Sequence, residues 1–337
     1  MKAIVLAGGY GKRIMPLTYY KPKPMLPIAN RPVIDYVISR IVAAGITDIT
    51  LALGYKPTEV VAFTEGYIGL DLCYSAEDEP SGTAGAVRLA AGDCGEEIVV
   101  CSADTISDCD ILSLVRTHRE NRAFVTMETT TVDDLGEYGE IISENGVVCA
   151  LREKCVYNKG RRGVANAGTY VLDPRVLDYI PQGVFFDFAK DLFPYLLKAG
   201  KRICEKRNDG YWRDVGSLSD FYKANYDMMS RGAMPLVKHL SRRYGAFING
   251  NLISSGAVVS GRINNCIIGE NAVIASSAVL KDCIVLAGEI VTGSYENCVI
   301  GREFAVCPRL KGVNMDNVRG FDSNKSGEFV KIFPHLT

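Results

Sequence analysis

The chain divides into two parts by the spacing of its apolar positions. From residue 2 to about residue 231, short apolar runs alternate with segments of helical spacing, and the predicted strands are KAIVLA, DITLAL, LDLCYS and EEIVVCS. Helices are predicted over 33–44 and from about residues 58 and 83. This alternation is typical of a doubly wound, Rossmann-like, mostly parallel α/β sheet. Such sheets bind ligands beyond the carboxyl ends of their strands, so the loops there are the candidate site.

A different spacing begins after about residue 245, where apolar residues recur six apart. The aliphatic positions are Ile267, Val273, Val279, Val285 and Val291. A hexapeptide period is typical of a left-handed parallel β-helix, although an irregular β extension is the simpler alternative. We therefore predict an α/β domain over 1–231, a short hexapeptide-repeat β-helix over 245–310, and an aperiodic polar tail over 311–337.

Composition narrows the class of protein. The 337 residues include 38 basic and 39 acidic side chains, so a formal net charge of -1 gives no general attraction for nucleic acid or anionic lipid. No apolar run approaches the roughly 20 residues of a membrane span, and no signal-peptide layout precedes the first strand. A cytoplasmic protein without membrane or nucleic-acid partners is expected. The eleven cysteines, with no CxxC pair, are expected to be reduced and mostly buried.

The first strand leads into the glycine-rich, basic segment GGYGKR, and the motif PKP follows it. Gly8, Gly9 and Gly11 allow backbone N–H groups to approach an anion, and nearby cations supply charge-assisted hydrogen bonds to phosphate. Neither the P-loop nor the GxGxxG pattern fits, because Leu6 and Ile14 stand where those motifs need glycine. The segment therefore predicts a phosphate-binding loop of another kind.

The segment LAGGYGKR…PLTYYKPKPMLPI resembles the signature of the sugar-1-phosphate nucleotidyltransferases, or NDP-sugar pyrophosphorylases. The resemblance continues, in the family's order, through EDEPSGTAGAV, SAD, NAGTYVL, FFDFAKDLFPYLL and GYWRDVGSLSDFYKAN, and so covers about residues 1–230. Enzymes of this family join a nucleoside triphosphate to a sugar 1-phosphate and release pyrophosphate. The resemblance therefore implies that the domain over 1–231 is a catalytic transferase domain for nucleotide-sugar biosynthesis.

The resemblance also implies roles for the charged residues. It assigns Arg13 and Lys23 to the triphosphate and the leaving pyrophosphate, and Asp104 and Asp214 to a magnesium ion, which favours oxygen ligands. The loop residues that it assigns to the nucleotide are Leu6, Ala7, Gly8, Gly9, Gly11 and Lys12. Lys12 replaces the family's usual threonine, and either contacts phosphate or points to solvent. Two nearby acids are expected to cap the following helix instead, namely Asp108 and Asp110.

Base choice is predicted from Glu77, which the resemblance places at the base edge, with Gly82 and Thr83 closing over it. A carboxylate only accepts hydrogen bonds, which suits the N–H donors of guanine, whereas a glutamine there suits uracil or thymine. Glu77 thus favours GTP, unless Asp78 or Glu79 shifts the register. The motif EDEPSGTAGAV looks like that of the mannose-1-phosphate and heptose-1-phosphate guanylyltransferases.

The sugar 1-phosphate is assigned, again by resemblance, to Gly139, Glu153, Lys154, Asn166 and Asp187. Cys155 stands where the family has a proline after the lysine, which leaves the placement of that lysine open. Asp187 either reaches the sugar or caps the helix after it. Trp212, the single tryptophan, is expected to pack beside the second metal aspartate.

The predicted function is guanylyl transfer from GTP to mannose 1-phosphate, with magnesium, to form GDP-mannose. A glucose-1-phosphate uridylyl- or thymidylyltransferase, a heptose-1-phosphate guanylyltransferase and a catalytically silent regulatory subunit are the alternatives. Acyl transfer by the β-helix is not expected, because His118, His239 and His335 all lie outside the hexapeptide run. A homo-oligomer is expected, with a dimer through the β-helix as its candidate form.

Overall fold

The computed structural model describes residues 1–77, 79–152, 158–230 and 244–307. In the first 230 residues the helices are α1 Leu17–Tyr20, α2 Val33–Ala43, α3 Pro57–Thr64, α4 Gly82–Ala91, α5 Ile111–Glu120, α6 Phe193–Lys198 and α7 Leu218–Ser230. The strands there are β1 Lys2–Ala7, β2 Pro27–Ile28, β3 Arg31–Pro32, β4 Asp48–Leu53, β5 Asp71–Ala76, β6 Ile98–Ser102, β7 Thr105–Ser107, β8 Val125–Val132, β9 Glu140–Glu144, β10 Val147–Arg152, β11 Gly163–Leu172, β12 Ile203–Asn208 and β13 Trp212–Asp214. The predicted strands and helices up to Ser102 are therefore confirmed.

Nine of these strands form one sheet in the order β5-β4-β1-β6-β11-β8-β12-β10-β9. The half from β5 to β6 is parallel throughout. In the other half, β11 runs antiparallel to both β6 and β8, and β10 is antiparallel to β12 and β9, whereas β12 is parallel to β8. The sheet is mixed, and the prediction of a mostly parallel sheet is wrong for its second half.

The difference begins where β8, β9 and β10 follow one another without an α-helix between them. Strands β9 and β10 are joined by Asn145 and Gly146, which both have positive φ, 51° and 78°. That conformation makes the tight turn of an antiparallel hairpin, for which an Asn-Gly pair is the usual sequence. The pair in SENGVV was therefore the available signal for antiparallel pairing.

Both faces of the sheet are covered, as in a doubly wound fold. Strand β1 alternates, with Ile4 packing into one buried cluster and Ala3 and Val5 into the other. Helices α4 and α6 contribute to the first cluster and α2 and α5 to the second. This arrangement leaves the carboxyl edge of β5, β4, β1 and β6 as the place where loops can bind a ligand.

The chain forms two compact units, which differ from a simple division along the sequence. The first comprises Met1–Gly11, Lys21–Met25 and Val33–Asp214, and the second comprises Lys12–Tyr20, Leu26–Pro32 and the chain from Val215 onward. The nine-stranded sheet lies in the first unit. In the second, Asn225 of α7 accepts a hydrogen bond from the Ala29 N–H at 2.8 Å, which ties an N-terminal loop to the helix.

The second unit continues with short strands: β14 Ala246–Ile248, β15 Asn251–Ile253, β16 Val258–Val259, β17 Arg262–Asn264, β18 Ile267–Ile268, β19 Val273–Ile274, β20 Val279–Lys281, β21 Ile284–Val285, β22 Ile290–Val291, β23 Ser294–Glu296, β24 Val299–Gly301 and β25 Phe304–Val306. They pair in parallel within three sheets, except for antiparallel strands at the two ends. Paired positions in one sheet are separated by 15 or 17 residues, as at Leu252, Ile267, Ile284 and Val299. These separations are not multiples of six, so a strict six-residue period falls out of register with the strand pairing. As a result, Val279 is 37% exposed, whereas Leu280 is buried.

Within the described residues, none of the helices has the length and apolar character needed to cross a bilayer. The ten cysteines in those residues are free thiols, and six of them are buried. The predicted tail over 311–337 lies outside the described residues.

Candidate active site

The candidate site lies at the carboxyl edge of the parallel half of the sheet, where four neighbouring strands end side by side. Glu77 follows β5, Gly54 follows β4, Gly8 follows β1, and Asp104 follows β6. Backbone hydrogen bonds carry the pairing into these loops, from Ala103 N–H to the Leu6 carbonyl at 2.9 Å and from Glu77 N–H to the Leu53 carbonyl at 3.4 Å. The predicted loops are therefore adjacent in space.

Two glycines allow the backbones at this edge to approach closely. A Cβ atom on Gly54 would lie only 2.6 Å from the Gly8 carbonyl oxygen, so a side chain there would displace the loop after β1. Gly9 faces open space instead, and Gly11 has a positive φ of 63°. Gly54 was not among the predicted site residues, although its position directly after DITLAL matched that of Gly8 after β1.

Lys23 lies close to both predicted metal ligands, Asp104 and Asp214. Lys23 Nζ donates to Asp104 Oδ2 at 2.5 Å and lies 3.5 Å from Asp214 Oδ1. Lys23 itself is only 9% exposed. Burial opposes its charge, but attraction to the two carboxylates outweighs burial and raises the pKa of Lys23 above its ordinary value. The ammonium therefore stays charged at neutral pH.

A two-stranded ribbon brings the two aspartates together from distant parts of the sequence. Strand β7 pairs antiparallel with β13, and Asp214 stands opposite Thr105, the neighbour of Asp104. Thr105 Oγ1 also donates to Asp104 Oδ1 at 3.3 Å. Both carboxylates retain partial exposure, 34% and 24% for the side chains of Asp104 and Asp214, so they remain open to a ligand.

This pair of carboxylates suits a magnesium ion. The described part of the chain holds no cluster of three or more histidine, cysteine or acidic side chains that could enclose a metal by themselves. Magnesium commonly uses one or two carboxylates together with phosphate oxygens and water. Two converging aspartates already gathered around one cationic group therefore fit an ion whose other ligands are phosphate oxygens and water.

Glu77 is held by the loop that follows it. Its Oε1 atom accepts hydrogen bonds from Ser81 Oγ and from the Ser81 N–H, the latter at 3.3 Å. The other oxygen, Oε2, faces Gly8, where it would lie 3.7 Å from an added Cβ atom. Glu79 is exposed, and Asp78 lies outside the described residues. Ser81, which the sequence did not single out, thus fixes the orientation of the carboxylate.

The loop before the helical segment Phe188–Leu192 closes over the start of α4. The carbonyl of Phe186 accepts hydrogen bonds from the N–H groups of Ala84 and Gly85 at 3.0 and 3.1 Å. Gly82 has φ of 79°, and a Cβ atom there would lie 2.5 Å from the same carbonyl oxygen. Glycine is therefore required at this position by both conformation and space.

Thr83 and Asp187 join the two loops directly. Thr83 Oγ1 donates to Asp187 Oδ2 at 2.8 Å, and the Phe188 N–H donates to the same hydroxyl at 2.9 Å. Asp187 Oδ1 accepts from the N–H groups of Ala189 and Lys190, so the predicted capping role of Asp187 is present. Its contact with a sugar stays a prediction.

A bulge in β11 shapes the other side of the site. Asn166 Oδ1 accepts from the Gly168 N–H at 3.0 Å, and Gly168 has φ of 82°. The Asn166 N–H in turn donates to the Gly139 carbonyl at 3.4 Å. Trp212 Nε1 donates to the Ala167 carbonyl at 2.9 Å, which connects this bulge to the strand that carries the second aspartate.

Glu153, Lys154 and Cys155 lie outside the described residues. Lys12 and Arg13 form a short 3-10 turn with Ile14 in the second unit, and both side chains are exposed.

The two acids that were predicted to cap the next helix do so only in part. Asp110 occupies the N-cap position of α5, but its side chain makes no capping hydrogen bond and pairs with Arg116 at 3.5 Å. Asp108 instead lies against Gly210, where a Cβ atom would meet its carboxylate at 2.2 Å. Asp108 therefore packs on the turn before β13.

Comparison with known proteins shows which family this chain resembles. Residues 2–231 match the family described as Nucleotidyl transferase. The chain is 35% identical over 289 residues to a mannose-1-phosphate guanylyltransferase of Mycobacterium tuberculosis, covering 84% of this chain and 79% of that protein. It is 36% identical over 235 residues to a mannose-1-phosphate guanyltransferase of Candida albicans, of which the match spans 62%.

The fold has the same relatives. The structure of HddC from Yersinia pseudotuberculosis, complexed with GMP-PN, superposes with a TM-score of 0.58 at 26% identity, covering 67% of this chain and 99% of that chain. The family match includes the glycine loop, Lys23 and both aspartates. The predicted resemblance is thereby confirmed, and the chain belongs to the nucleotidyl transferase family as a sugar-1-phosphate nucleotidyltransferase.

Proposed function

We propose that this chain transfers the guanylyl group of GTP to mannose 1-phosphate and releases pyrophosphate, forming GDP-mannose. The observation that carries the proposal is the meeting of Lys23 with Asp104 and Asp214 at the edge of the sheet, beside Glu77 and the glycine loop. The mannose-1-phosphate guanylyltransferases among its relatives support the choice of base and sugar.

The reaction needs positioning and positive charge more than covalent chemistry. An oxygen of the sugar phosphate attacks the α-phosphorus in line, the bond from that phosphorus to the bridging oxygen breaks, and pyrophosphate leaves. Lys23 neutralises charge that develops on the leaving group, and Arg13 is the proposed second cation on the triphosphate. Leu6, Ala7, Gly8, Gly9 and Gly11 bring backbone groups to the nucleotide, and Lys12 is a further candidate contact.

Asp104 and Asp214 are the proposed ligands of a magnesium ion. When bound there, the ion supplies charge neutralisation for the phosphate oxygens. Lys23 lies against the same two carboxylates, so its ammonium would share their oxygens with the ion and would contact the phosphate oxygens of the substrate.

Glu77 is the proposed reader of guanine. With Oε1 bound to Ser81, the free Oε2 faces the glycine loop and accepts from the N–H donors of the base edge. Gly82 and Thr83 complete the proposed nucleotide site. Gly139, Asn166 and Asp187, with Glu153 and Lys154 from outside the described residues, are the proposed contacts of the sugar 1-phosphate.

The experiment that tests this function is a coupled assay of pyrophosphate release. Purified protein with Mg²⁺ is given GTP, ATP, UTP or dTTP, each combined with mannose, glucose or heptose 1-phosphate. We expect GTP with mannose 1-phosphate to give the largest kcat/KM. A preference for UTP or dTTP would contradict the role of Glu77, and no release with any pair would contradict the reaction class.

We also propose that the strands from 245 to 307 are coils of a left-handed parallel β-helix that joins two copies into a dimer. Their parallel pairing in three sheets supports the first part. Val258, Val273 and Ile290 stand opposite one another, and Val258 and Ile290 are 54% and 72% exposed, which gives a second copy an apolar face. Light scattering should give a dimer for the wild type and a monomer for Ile290→Asp; a wild-type monomer would contradict the proposal.

A further inference from the structure

A buried ion pair lies beneath the ribbon that carries Asp104 and Asp214. Glu128 of β8 is fully buried, and its Oε2 atom lies 3.6 Å from Nη1 of Arg40, near the end of α2. Arg40 is held by a hydrogen bond from Nη2 to Thr169 Oγ1 at 2.9 Å. Replacing a buried ion pair by apolar residues is often neutral or stabilising, so such a pair calls for a reason other than stability.

The second carboxylate oxygen of Glu128 binds one strand of the ribbon, β7, and the residue before the turn into the other strand, β13. Oε1 accepts from Ser107 Oγ at 2.5 Å and from Asn208 Nδ2 at 3.0 Å. Ser107 ends β7, the strand that Asp104 precedes. Asn208 ends β12, and its Oδ1 accepts from the Gly210 N–H at 2.8 Å, which fixes the turn into β13. One buried oxygen is thus shared by the supports of both aspartates.

The thiols next to Arg40 and Glu128 add no charge to this ion pair. Cys101 and Cys109 are the neighbouring titratable groups, and burial raises the pKa of both thiols, so they stay neutral at neutral pH. Arg40 also donates to Cys101 Sγ at 3.7 Å. The guanidinium is therefore the counter-charge of Glu128, and removing either charge alone leaves the other buried and uncompensated.

We propose that Glu128, with Arg40 as its buried counter-ion, is a positioning residue that sets the separation of the Asp104 and Asp214 carboxylates. Without the shared acceptor the two strands of the ribbon lose their common anchor, and the carboxylates no longer converge on one cation. The inference rests on the proposed function, since it assigns a metal to these aspartates, but it concerns Glu128 and Arg40 themselves.

Two double variants distinguish the hydrogen-bond acceptor of Glu128 from its negative charge. Arg40→Met with Glu128→Gln removes both charges and keeps an Oε1 acceptor for Ser107 and Asn208. Arg40→Met with Glu128→Leu removes both charges and the acceptor. Ser107→Ala keeps the Glu128 carboxylate but removes the hydroxyl that donates to it, which also accepts from the Cys109 N–H and from Asn208 Nδ2. This variant serves as the test if the leucine variant does not fold.

Glu205→Leu is the matched control. This carboxylate has a 10% exposed side chain and accepts hydrogen bonds from Thr129 Oγ1, at 2.7 Å, and from Ser143 Oγ. It therefore also joins hydroxyls of neighbouring strands of the sheet, but it does not contact the ribbon. A loss caused only by a weakened sheet should appear equally in this variant.

Two readouts are measured for each protein: Mn²⁺ binding by electron paramagnetic resonance, without substrates, and the separate kcat and KM of nucleotide transfer. For the leucine variant we expect Mn²⁺ affinity and kcat each to fall by about 10- to 100-fold, as for other residues that orient metal ligands, with the KM for GTP nearly unchanged. The glutamine variant should stay close to the wild type in both, and Ser107→Ala should show a smaller loss in the same direction.

Equal values for the leucine and glutamine variants, or an equal loss in Glu205→Leu, would overturn the positioning role. A wild type that binds no Mn²⁺ would overturn it too, because there would be no cation site to position. If the wild type binds Mn²⁺ but transfers no nucleotide, while the leucine variant binds Mn²⁺ less tightly, the proposed reaction fails and the positioning role stands.

Discussion

Lys23 Nζ lies 2.5 Å from Asp104 Oδ2, and this contact connects the PKP motif with a residue that is 81 positions away in the sequence. The same ammonium lies 3.5 Å from Asp214 Oδ1. The single positive charge of Lys23 therefore offsets part of the charge of the two carboxylates. The proposed metal ion would therefore compete with the ammonium for the same oxygens.

Replacing Lys23 by methionine should separate its effect on catalysis from its effect on metal binding. We expect kcat to fall by about a hundred- to a thousandfold, because a fixed charge near the leaving phosphates is lost. Mn²⁺ binding without nucleotide should become tighter, because no ammonium competes for the carboxylates. Lys21→Met is the matched control, since Lys21 has a 47% exposed side chain and lies 3.9 Å from Glu59. Weaker Mn²⁺ binding by Lys23→Met would contradict the competition.

Replacing Asp104 or Asp214 by asparagine should nearly abolish pyrophosphate release while the fold is retained. The amide keeps the shape of the side chain but removes the charge that holds a cation, and a loss of at least about a hundredfold in kcat is expected. Circular dichroism checks the fold, and Asp108→Asn is the control for a nearby acid outside the pair. Turnover near that of the wild type in either variant would mean that the metal is held elsewhere.

Glu77→Gln should change the preferred nucleotide. A glutamine both donates and accepts, so it suits uracil or thymine better than a carboxylate does, and kcat/KM for UTP and dTTP should rise relative to that for GTP. Glu79→Gln, at an exposed position in the same loop, should leave the profile unchanged. An unchanged profile for Glu77→Gln would show that guanine is recognised by other groups.

Acidification should destabilise the protein in part through His118. Burial lowers the pKa of His118. The carboxylates of Glu97 and Asp173 raise this pKa and Arg119 lowers it, but burial is the largest of these effects. The unfolded chain then binds the proton first, so the free energy of unfolding falls as the pH drops below the ordinary histidine value of about 6.5.

Urea unfolding of the wild type and His118→Gln at several pH values measures this contribution. The variant should lose less stability than the wild type between about pH 7 and pH 5, whereas His239 and His335 are present in both proteins and cancel. Parallel curves for the two proteins would assign the acid sensitivity to other groups.

The sequence predicted the parallel half of the sheet because its apolar runs are separated by helical segments. It did not predict the antiparallel pairs of the other half, since pairing of β11 with β6 and β8 depends on contacts between distant strands. Asn145 and Gly146 gave a local hint only for the hairpin of β9 and β10. The hexapeptide spacing located the C-terminal strands, but paired positions lie 15 or 17 residues apart, and Val279 is 37% exposed.

In the candidate site too, residues in sequence motifs could be predicted, whereas contacts between distant parts of the chain could not. Lys23, Asp104 and Asp214 stand in recognisable motifs, and the structure brings them together. Ser81 lies in the motif EDEPSGTAGAV, four residues after the carboxylate that it holds. Gly54 and the pair of Arg40 and Glu128 carry no motif of their own. Their contacts arise only when strands far apart in the sequence become neighbours, which a single sequence does not reveal.

The most direct test of the central claim is the mass-spectrometric detection of GDP-mannose from GTP, mannose 1-phosphate and Mg²⁺. The wild type should form it in amounts equal to the pyrophosphate released, and Asp104→Asn should form almost none. Pyrophosphate or phosphate release without GDP-mannose, or equal product from both proteins, would contradict the account.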